Sequence, residues 1–399
     1  MTATIELVRD GERVQTRGDD TACHLCGAAT WSYVELGDVP ALCNEFHSTA
    51  GAAQAAARGQ VELSLCAACG LIANTAFDET RFSYTPEYDN ALERSATFRR
   101  YTDELAARLV ERYVPTHGEV VEIGCGSGHF LTTLAELGDN CARGFDPSYD
   151  ARRGRIPRRG TVEITNEPYR AELGAAADLV VCRHVLEHFD DPAALVRSVG
   201  DALGDGVAYF EVPDATFMLD EFAFWDVIHE HRSYFGGPTL RWLFETAGLE
   251  VLDTGRSFGG QFLWIEARRA PSPITPQRPD TTNLPAAMSR FARSFHQRVA
   301  QWRLELAAVD PGRVAVWGMG AKGVMFLNLV DPTGRIAGAV DINPTKHGRF
   351  VPGTGQRVIG PDKLAVLDPE MVVVMNPVYR AEIEQLLTRD GLTPRVRIP

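Results

Sequence analysis

The stretch Glu119-Val-Val-Glu-Ile-Gly-Cys-Gly-Ser-Gly128 decides the fold of the middle of this 399-residue chain. A short apolar strand breaks into glycines at 124, 126 and 128, where a backbone without Cβ atoms can pass close to a ligand. About twenty residues later, Gly144-Phe-Asp-Pro147 predicts a second strand that ends in an acid, at the spacing of a ribose-hydroxyl acceptor. The two segments together predict an α/β nucleotide-binding unit.

The glycine pattern is GxGxG with an acid two residues before its first glycine, which differs from the dinucleotide GxGxxG. It resembles the S-adenosylmethionine (SAM) motif of the Rossmann-like methyltransferases. A further strand, Ala177-Asp-Leu-Val-Val-Cys182, ends in Arg183-His-Val-Leu-Glu-His188, which is also typical of those enzymes. The resemblance implies a cofactor site formed by Glu122, Gly124, Gly126, Asp146 and His184. A plain glycine turn without a ligand is the alternative.

Four of the eight cysteines form two CxxC pairs, Cys23-His-Leu-Cys26 and Cys66-Ala-Ala-Cys69. Two such knuckles can supply four thiolates to one tetrahedral zinc ion, with no coordination position left open. The sequence therefore predicts a structural zinc in an N-terminal domain, with a redox-active CxxC as the alternative. The other cysteines, at 43, 125, 141 and 182, are expected to be small core residues.

The composition excludes several classes of protein. Forty Lys+Arg against 53 Asp+Glu give a net charge of −13, and the absence of basic runs disfavours nucleic acid as a partner. No segment approaches the roughly 18–20 apolar residues of a membrane span. The N-terminus lacks a basic region followed by an apolar stretch, so no signal peptide is expected and the protein is predicted to be cytoplasmic.

A second glycine loop follows a proline-rich linker at 271–285. Met288, Phe291, Phe295, Val299, Trp302 and Leu306 recur at helical spacing, and the strand after them runs into Gly318-Met-Gly-Ala-Lys-Gly323. Another strand ends at Asp341, and Lys346 and Arg349 lie close behind it. Such a half-Rossmann unit fits NAD(P) or a sugar nucleotide equally well, and a packing domain without a ligand is the third possibility.

The order of motifs along the chain is CxxC, CxxC, GxGxG, RHVLEH, EHxxYF, GxGAKG and DxNPxKxG. This order resembles the zinc-containing, SAM-dependent C-methyltransferases of thymidine-diphosphate (TDP) deoxysugars, which serve antibiotic biosynthesis. The resemblance implies an α/β protein with a zinc-binding domain at 1–85, a Rossmann-like class I methyltransferase domain at 86–270, the linker at 271–285 and a Rossmann-like domain at 286–399. A TDP-linked 4-keto-deoxysugar is expected between the second and third domains. The sequence gives no oligomeric state.

Methylation at carbon 3 of a 4-keto sugar needs a base for the acidic proton and donors for the enolate oxygen. By resemblance, His231 is the base, Glu230 orients it, and His184 donates near the keto oxygen. Tyr84 and Tyr88 resemble an aromatic segment that covers the sugar, with Tyr84 assigned to catalysis. Structural histidines and a metal site at His229 and His231 are alternatives. Substrate binding is assigned to Tyr88, Lys322, Asn343, Lys346 and Arg349.

The chain departs from the family pattern at Ile228, where a tyrosine is usual two residues before the glutamate of the EH pair. This departure and the formal GxGxxG at 318–323 motivate a second hypothesis. In it, the enzyme also reduces the 4-keto group with NAD(P)H. A non-catalytic zinc-ribbon scaffold is the further alternative.

Overall fold

The computed structural model describes residues 7–9, 12–14, 18–170 and 176–399, with side chains from residue 21 onward. Strands β1 (Leu7–Arg9) and β2 (Glu12–Val14) form a two-stranded antiparallel ribbon. An antiparallel N-terminal sheet follows, made of β3 (Gly18–Ala22), β4 (Ala29–Pro40), β5 (Arg58–Cys66) and β6 (Ile72–Asn74). Helix α1 (Ala50–Gln54) lies between β4 and β5.

The middle of the chain forms a seven-stranded sheet in the order β13-β14-β11-β10-β7-β8-β9. Its strands are β7 (Glu119–Ile123), β8 (Cys141–Phe145), β9 (Thr161–Thr165), β10 (Ala177–Arg183), β11 (Leu203–Pro213), β13 (Leu249–Ser257) and β14 (Phe262–Arg269). The helices are α2 (Ala96–Tyr113), α3 (His129–Gly138), α4 (Pro192–Ala202), α5 (Ala215–Asp220) and α6 (Gly237–Thr246). Only the β11–β14 and β14–β13 pairings in this sheet are antiparallel.

The C-terminal sheet has five parallel strands in the order β17-β16-β15-β18-β19. They are β15 (Val314–Trp317), β16 (Gly338–Val340), β17 (Val358–Ile359), β18 (Met371–Val374) and β19 (Arg395–Arg397). The helices are α7 (Leu284–Ala307), α8 (Ala321–Val330), α9 (Leu364–Leu367) and α10 (Arg380–Arg389). In open parallel sheets, ligands bind at the carboxyl edge where the strand order reverses. This point lies between β7 and β10 in the middle sheet and between β15 and β18 in the C-terminal sheet.

Helix α7 joins the N-terminal sheet to the C-terminal sheet. The six apolar positions predicted to form its core face are all buried, from Met288 to Leu306. They belong to one apolar cluster with residues of β4 and β5 and with one face of the C-terminal sheet. The linker before the helix also contacts the second CxxC segment, because the Thr281 hydroxyl donates to the Ala67 carbonyl at 2.6 Å.

Two details differ from the sequence-based expectations. Strand β12 (Ser233–Tyr234) lies in the middle of the chain but pairs with β6, so it completes the N-terminal sheet. Cys141 is exposed at the first position of β8, which corrects its assignment to the core, whereas Cys43, Cys125 and Cys182 are buried as expected.

Within the described ranges, no helix is both long enough and apolar enough to cross a membrane.

Candidate functional site

A cleft opens at the carboxyl edge of the middle sheet, between the ends of β7 and β10. We call it the glycine-loop cleft, and its walls include Glu122, Gly124, Gly126, Asp146 and His184. Its volume of about 680 Å³ lies within the roughly 300–1,000 Å³ of small-molecule sites. The structure therefore brings together all the residues predicted to line the cofactor.

The glycine loop needs its glycines for two different reasons. Gly124, Gly126 and Gly128 have φ values of +69°, +53° and +75°, in the left-handed region that residues with a Cβ rarely adopt. A Cβ at Gly124 would also collide with the Val185 side chain. At Gly126 no atom of the described residues lies within 4 Å of a Cβ position, so the backbone there faces the cleft.

Asp146 is largely occupied by the loop that it faces. Its Oδ2 accepts from the Gly126 N–H at 2.7 Å, and its Oδ1 accepts from Ser148, from the N–H at 2.7 Å and from the hydroxyl at 2.6 Å. A carboxylate offers about four lone-pair directions, so about one is left for a ribose hydroxyl. Asp146 therefore fixes the glycine loop as well as facing the cleft.

Glu122 and Arg183 lie under the glycine loop. Burial raises the pKa of Glu122 to about 8, although the nearby Arg183 charge opposes this shift. Glu122 is therefore neutral at pH 7, and its Oε2 has no hydrogen-bond partner among the described residues. A neutral carboxyl group can donate a hydrogen bond as well as accept one.

A second cleft lies between the middle sheet and the C-terminal sheet, and we call it the inter-sheet cleft. One wall carries Gly318, Gly320 and Lys322 of the second glycine loop. Gly318 has φ +105°, and α8 begins after Gly320 without a side-chain cap on its first N–H groups. Uncapped N–H groups at a helix N-terminus form an anion site. The opposite wall carries Glu230 and His231.

The two clefts meet. Of the residues that the structure describes, seven line both of them: Tyr88, Asn90, Ala91, Leu92, Arg94, His184 and His188. A group in the glycine-loop cleft and a group in the inter-sheet cleft therefore face each other across His184 and His188.

His188 is a site residue that the sequence reasoning missed. Its Nδ1 lies 2.8 Å from the Glu230 carbonyl and 3.1 Å from the Tyr84 hydroxyl. A carbonyl only accepts, so in the neutral ring Nδ1 carries the proton and the lone pair is on Nε2. Burial lowers the pKa of His188 to about 4, and the His231 ring lies 4.9 Å away between centroids.

His231 itself has a pKa well below its usual value, because it is buried and faces His188, His184 and Lys322. No hydrogen bond joins it to Glu230 in the described part of the chain, which corrects the expected pairing. The Glu230 Oε1 instead accepts from the Cys43 N–H at 3.2 Å. Glu230 lies in a turn that the His231 N–H closes by donating to the Ile228 carbonyl at 3.2 Å, so the two adjacent side chains need not touch. Burial raises the pKa of Glu230 to about 7.

His184 is held by a buried ionic network. Its Nε2 lies 3.1 Å from Oε1 of Glu211, and the Arg183 Nε donates to the same oxygen at 3.1 Å. Burial alone raises the pKa of Glu211, but Arg183 and His184 together bring it well below its usual value. His184 also has φ +56°, because the chain turns sharply after β10 into a short 3-10 helix at Leu186–His188.

The substrate-binding residues predicted near the second glycine loop divide into two groups. Lys322 and Lys346 line the inter-sheet cleft. The Lys322 Nζ donates to both oxygens of Asp226 at 2.5 and 2.7 Å. The Lys346 Nζ donates to the Met319 carbonyl at 2.7 Å. Asn343 and Arg349 line neither cleft.

Asn343 and Arg349 instead hold the surrounding loops together. Asn343 donates to Asp89 at 3.3 Å, and Arg349 donates to the Phe46 carbonyl at 3.0 Å. These bonds attach the C-terminal sheet to the segments before the middle sheet. The assignment of both residues to substrate binding stays a prediction.

Aromatic side chains close the clefts on the side of the N-terminal sheet. Tyr84 lines the glycine-loop cleft and contacts Tyr88 edge-on at 5.0 Å, and Tyr88 lines both clefts. His229 is not among the lining residues of either cleft, and it stacks on Phe77 at 5.7 Å. Sequence reasoning also missed Gln261, whose side-chain amide pairs with that of Asn376 at 2.8 and 3.0 Å across the inter-sheet cleft.

The four cysteines of the two CxxC pairs form one cluster. Cys23 and Cys69 are 3.7 Å apart between sulfurs, and Cys26 and Cys66 are 3.4 Å apart. All four sulfurs lie within 4.8 Å of one another. A tetrahedral zinc with Zn–S bonds of about 2.3 Å places its sulfurs roughly 3.8 Å apart, so the cluster fits this ion.

The chain matches two domain families. Residues 98–254 match a methyltransferase domain, and residues 284–390 match the C-methyltransferase C-terminal domain. The first range contains the glycine-loop cleft between β7 and β10, and the second contains the glycine loop of the C-terminal sheet.

Individual proteins are also similar to the chain. It is 26% identical to C-methyltransferase NovU of Streptomyces niveus over 385 residues, covering 90% of each chain. It is 26% identical to a ubiquinone biosynthesis O-methyltransferase of Neisseria meningitidis over 190 residues, covering 42% of this chain and 79% of that protein.

Among solved structures, magnesium protoporphyrin IX methyltransferase of Synechocystis aligns with TM-score 0.35 and 19% identity over 44% of this chain and 84% of its own. The 1,6-didemethyltoxoflavin-N1-methyltransferase of Burkholderia thailandensis aligns with TM-score 0.34 and 20% identity over 49% of this chain and 94% of its own.

The two domain matches and the similarity to NovU over 90% of each chain support the coarser prediction of a SAM-dependent C-methyltransferase. The middle sheet and its glycine loop form the Rossmann-like fold of the class I methyltransferases. The protein is a SAM-dependent C-methyltransferase with a C-methyltransferase C-terminal domain.

Proposed function

We propose that the enzyme methylates C-3 of a TDP-linked 4-keto-deoxysugar through an enolate, in the biosynthesis of a branched sugar of an antibiotic. The observation that carries this proposal is the junction of the two clefts at His184, His188 and His231. A methyl donor in one cleft and a carbon nucleophile in the other would meet there.

The glycine-loop cleft would hold SAM, whose sulfonium supplies an electrophilic methyl group. The open backbone at Gly126 gives the methionine end of the cofactor close access. The remaining acceptor direction of Asp146 suits a ribose hydroxyl. Glu122, buried and neutral, stays beneath the loop without adding a second negative charge to that of Asp146.

His231 is proposed as the base that takes the C-3 proton, which the neighbouring carbonyl makes acidic. A base needs an unprotonated nitrogen, and burial keeps both His231 and His188 neutral at pH 7. His188 is oriented by the Glu230 carbonyl with its Nε2 lone pair available beside His231. Tyr84 is proposed as a hydrogen-bond donor to the enolate oxygen, and so is His184 with both ring nitrogens protonated, because its Nε2 faces the Glu211 carboxylate.

The inter-sheet cleft is suited to the nucleotide end of the substrate. The uncapped N-terminus of α8 and the ammonium groups of Lys322 and Lys346 line this wall, so they would hold the diphosphate. Asp341 directly follows β16 at the same wall, in the position for a ribose hydroxyl. The sugar ring would then extend toward His231.

The four-cysteine cluster is proposed to hold a structural zinc. Each knuckle turns back at a glycine of φ +74°, and the N–H groups of Gly27 and Gly70 donate to the Cys23 and Cys66 carbonyls at 2.8 Å. Four sulfur ligands leave no position for a substrate. The zinc would therefore support the sheet that presents Tyr84 and Tyr88, and it would take no part in methyl transfer.

A second candidate function is reduction of the 4-keto group by NAD(P)H in addition to methylation. The second glycine loop favours it, because a Cβ at Gly323 would collide with the Gly318 carbonyl, as in the close strand-to-helix packing of dinucleotide sites. Ile228, buried at the inter-sheet cleft, replaces the tyrosine usual in the family.

Mass spectrometry of a TDP-4-keto-deoxysugar incubated with enzyme and SAM, with and without NADPH, tests both candidates. A mass gain of one methylene in the sugar supports methylation, and two further hydrogens that appear only with NADPH support reduction. An unchanged sugar contradicts the proposed substrate. If no NADPH is oxidised, the reductase hypothesis is wrong.

A further inference from the structure

Glu187, His188 and His231 form a second cluster of metal-ligating groups, apart from the cysteines. One carboxylate oxygen and one nitrogen from each imidazole lie within 4.8 Å of one another. All three residues line the inter-sheet cleft, so the cluster opens toward the proposed substrate position. Methyl transfer as proposed above gives Glu187 no role.

The buried carboxyl group of Glu187 has one oxygen without a hydrogen-bond partner among the described residues. The residue is 2% exposed, and its Oε2 has no hydrogen-bond partner in the described part of the chain. A buried polar atom without a partner destabilises the fold, and a cation beside it would remove that cost.

His188 has the supporting contact that metal-binding histidines share. Such a histidine usually donates its other ring N–H to a carbonyl or a carboxylate, which fixes the tautomer and leaves the coordinating nitrogen bare. The Nδ1 of His188 makes this contact with the Glu230 carbonyl at 2.8 Å, so Nε2 is the nitrogen left to coordinate.

The two segments that carry the cluster are joined independently of any ion. The Arg232 N–H donates to the Glu187 carbonyl at 2.9 Å, beside the bond between His188 and Glu230. The short helix after β10 and the loop before β12 are therefore held in register. Three ligands fixed in this way need little rearrangement to bind an ion.

We propose that Glu187, His188 and His231 bind a divalent transition-metal ion, and that the bound ion inhibits methyl transfer by occupying His231. Two imidazoles and one carboxylate suit Zn²⁺, Co²⁺ or Fe²⁺ and not Mg²⁺ or Ca²⁺, which prefer oxygen ligands. Three protein ligands leave further coordination positions open toward the cleft. The inhibition rests on the proposed role of His231, whereas the binding does not.

Cobalt titration tests the binding without any substrate. The purified protein, with its tightly held metal, is dialysed against a weak chelator and titrated with Co²⁺, and native mass spectrometry counts the ions. We expect one additional cobalt per chain, without the thiolate-to-cobalt absorption of a cysteine site. The Glu187→Gln and His188→Gln variants should lose this additional ion, and their thermal unfolding shows whether they fold.

His117→Gln is the matched control, because His117 is exposed and lies outside both clefts. It should bind the additional cobalt as the wild type does. No additional ion in the wild type, or an additional ion that folded Glu187→Gln and His188→Gln retain, would overturn the proposed site.

Inhibition is measured separately, as methyl transfer with and without saturating Zn²⁺. Activity should be lost with the additional ion bound and recovered with a chelator, whereas full activity with the site occupied would refute the inhibitory role. If the enzyme is inactive on TDP-sugars altogether, the proposed function fails, but the cobalt result still decides whether the site exists.

Discussion

Replacing Glu211 by glutamine removes a charge from the ionic network that holds His184. The carboxylate is buried, and its Oε2 accepts hydroxyl hydrogen bonds from Tyr101, from Tyr209 at 3.1 Å and from Ser257 at 3.2 Å. Its Oε1 faces Arg183 and His184. Glutamine preserves the shape of the side chain but presents an amide group to donors that require an acceptor.

The loss of folding stability in Glu211→Gln follows from the burial of Arg183. Its side chain is 8% exposed, and Glu211 at 3.1 Å is its ion-pair partner. Removing one partner of a buried ion pair costs about 3–5 kcal/mol, because the remaining charge stays buried without compensation. For a domain of the size of the middle sheet and its helices, this corresponds to a fall in Tm of roughly 6–20 °C.

Thermal and urea unfolding of Glu211→Gln measure this loss. The double variant Arg183→Met/Glu211→Gln should recover part of it, because no unpaired charge remains. Glu250→Gln is the control: this exposed carboxylate pairs with Arg268 at 2.8 Å, and exposed pairs contribute about 0–1 kcal/mol. If Glu211→Gln lies within about 1 kcal/mol of the wild type, the account of the buried network is wrong.

Asp146→Ala should weaken SAM binding about tenfold or more, since hydrogen bonds to a charged group contribute about 1.5–3 kcal/mol each; unchanged affinity in isothermal titration would rule out its role in the cofactor site. His231→Ala should abolish methyl transfer while SAM still binds, and retained turnover would move the base elsewhere, with His188 next. Cys66→Ser should release zinc and lower Tm, because a structural site contributes folding free energy directly; a stable metal-free variant argues against the zinc. The pKa of Glu122 is raised to about 8, so its protonated form is favoured in the folded protein. The resulting contribution to the free energy of unfolding is complete below about pH 4 and is lost as the pH rises through about 8. The free energy of unfolding of the wild type should therefore fall relative to Glu122→Gln by up to about 1.4 kcal/mol per pH unit in that window, and parallel pH profiles would contradict the shifted pKa.

The sequence carried strong signals for the parts of the fold that depend on periodicity or on glycine. The core face of α7 is visible as apolar residues at three- and four-residue steps. The loop after β7 is visible because only glycine adopts positive φ freely at three nearby positions. Strand β12 gives no such signal, since two residues are too few to show an alternating pattern.

The site was harder to predict because orientation depends on turns. His184 and His188 lie in one motif, and the positive φ of His184 directs its ring to Glu211, whereas the short helix after it places His188 beside His231. Asn343 and Arg349 follow Asp341 closely in the chain, but their side chains donate to Asp89 and to the Phe46 carbonyl. Proximity in sequence does not specify which way a loop side chain points.

Transfer of a ¹³C-labelled methyl group from SAM tests the central claim most directly. The enzyme is incubated with a TDP-4-keto-deoxysugar and SAM that carries a ¹³C-labelled methyl group, and the sugar product is examined by NMR. We predict a labelled methyl bonded to C-3, next to the carbonyl carbon. Label on an oxygen or on another ring carbon, or no label in the sugar while SAM binds, would contradict methyl transfer through an enolate at the junction of the two clefts.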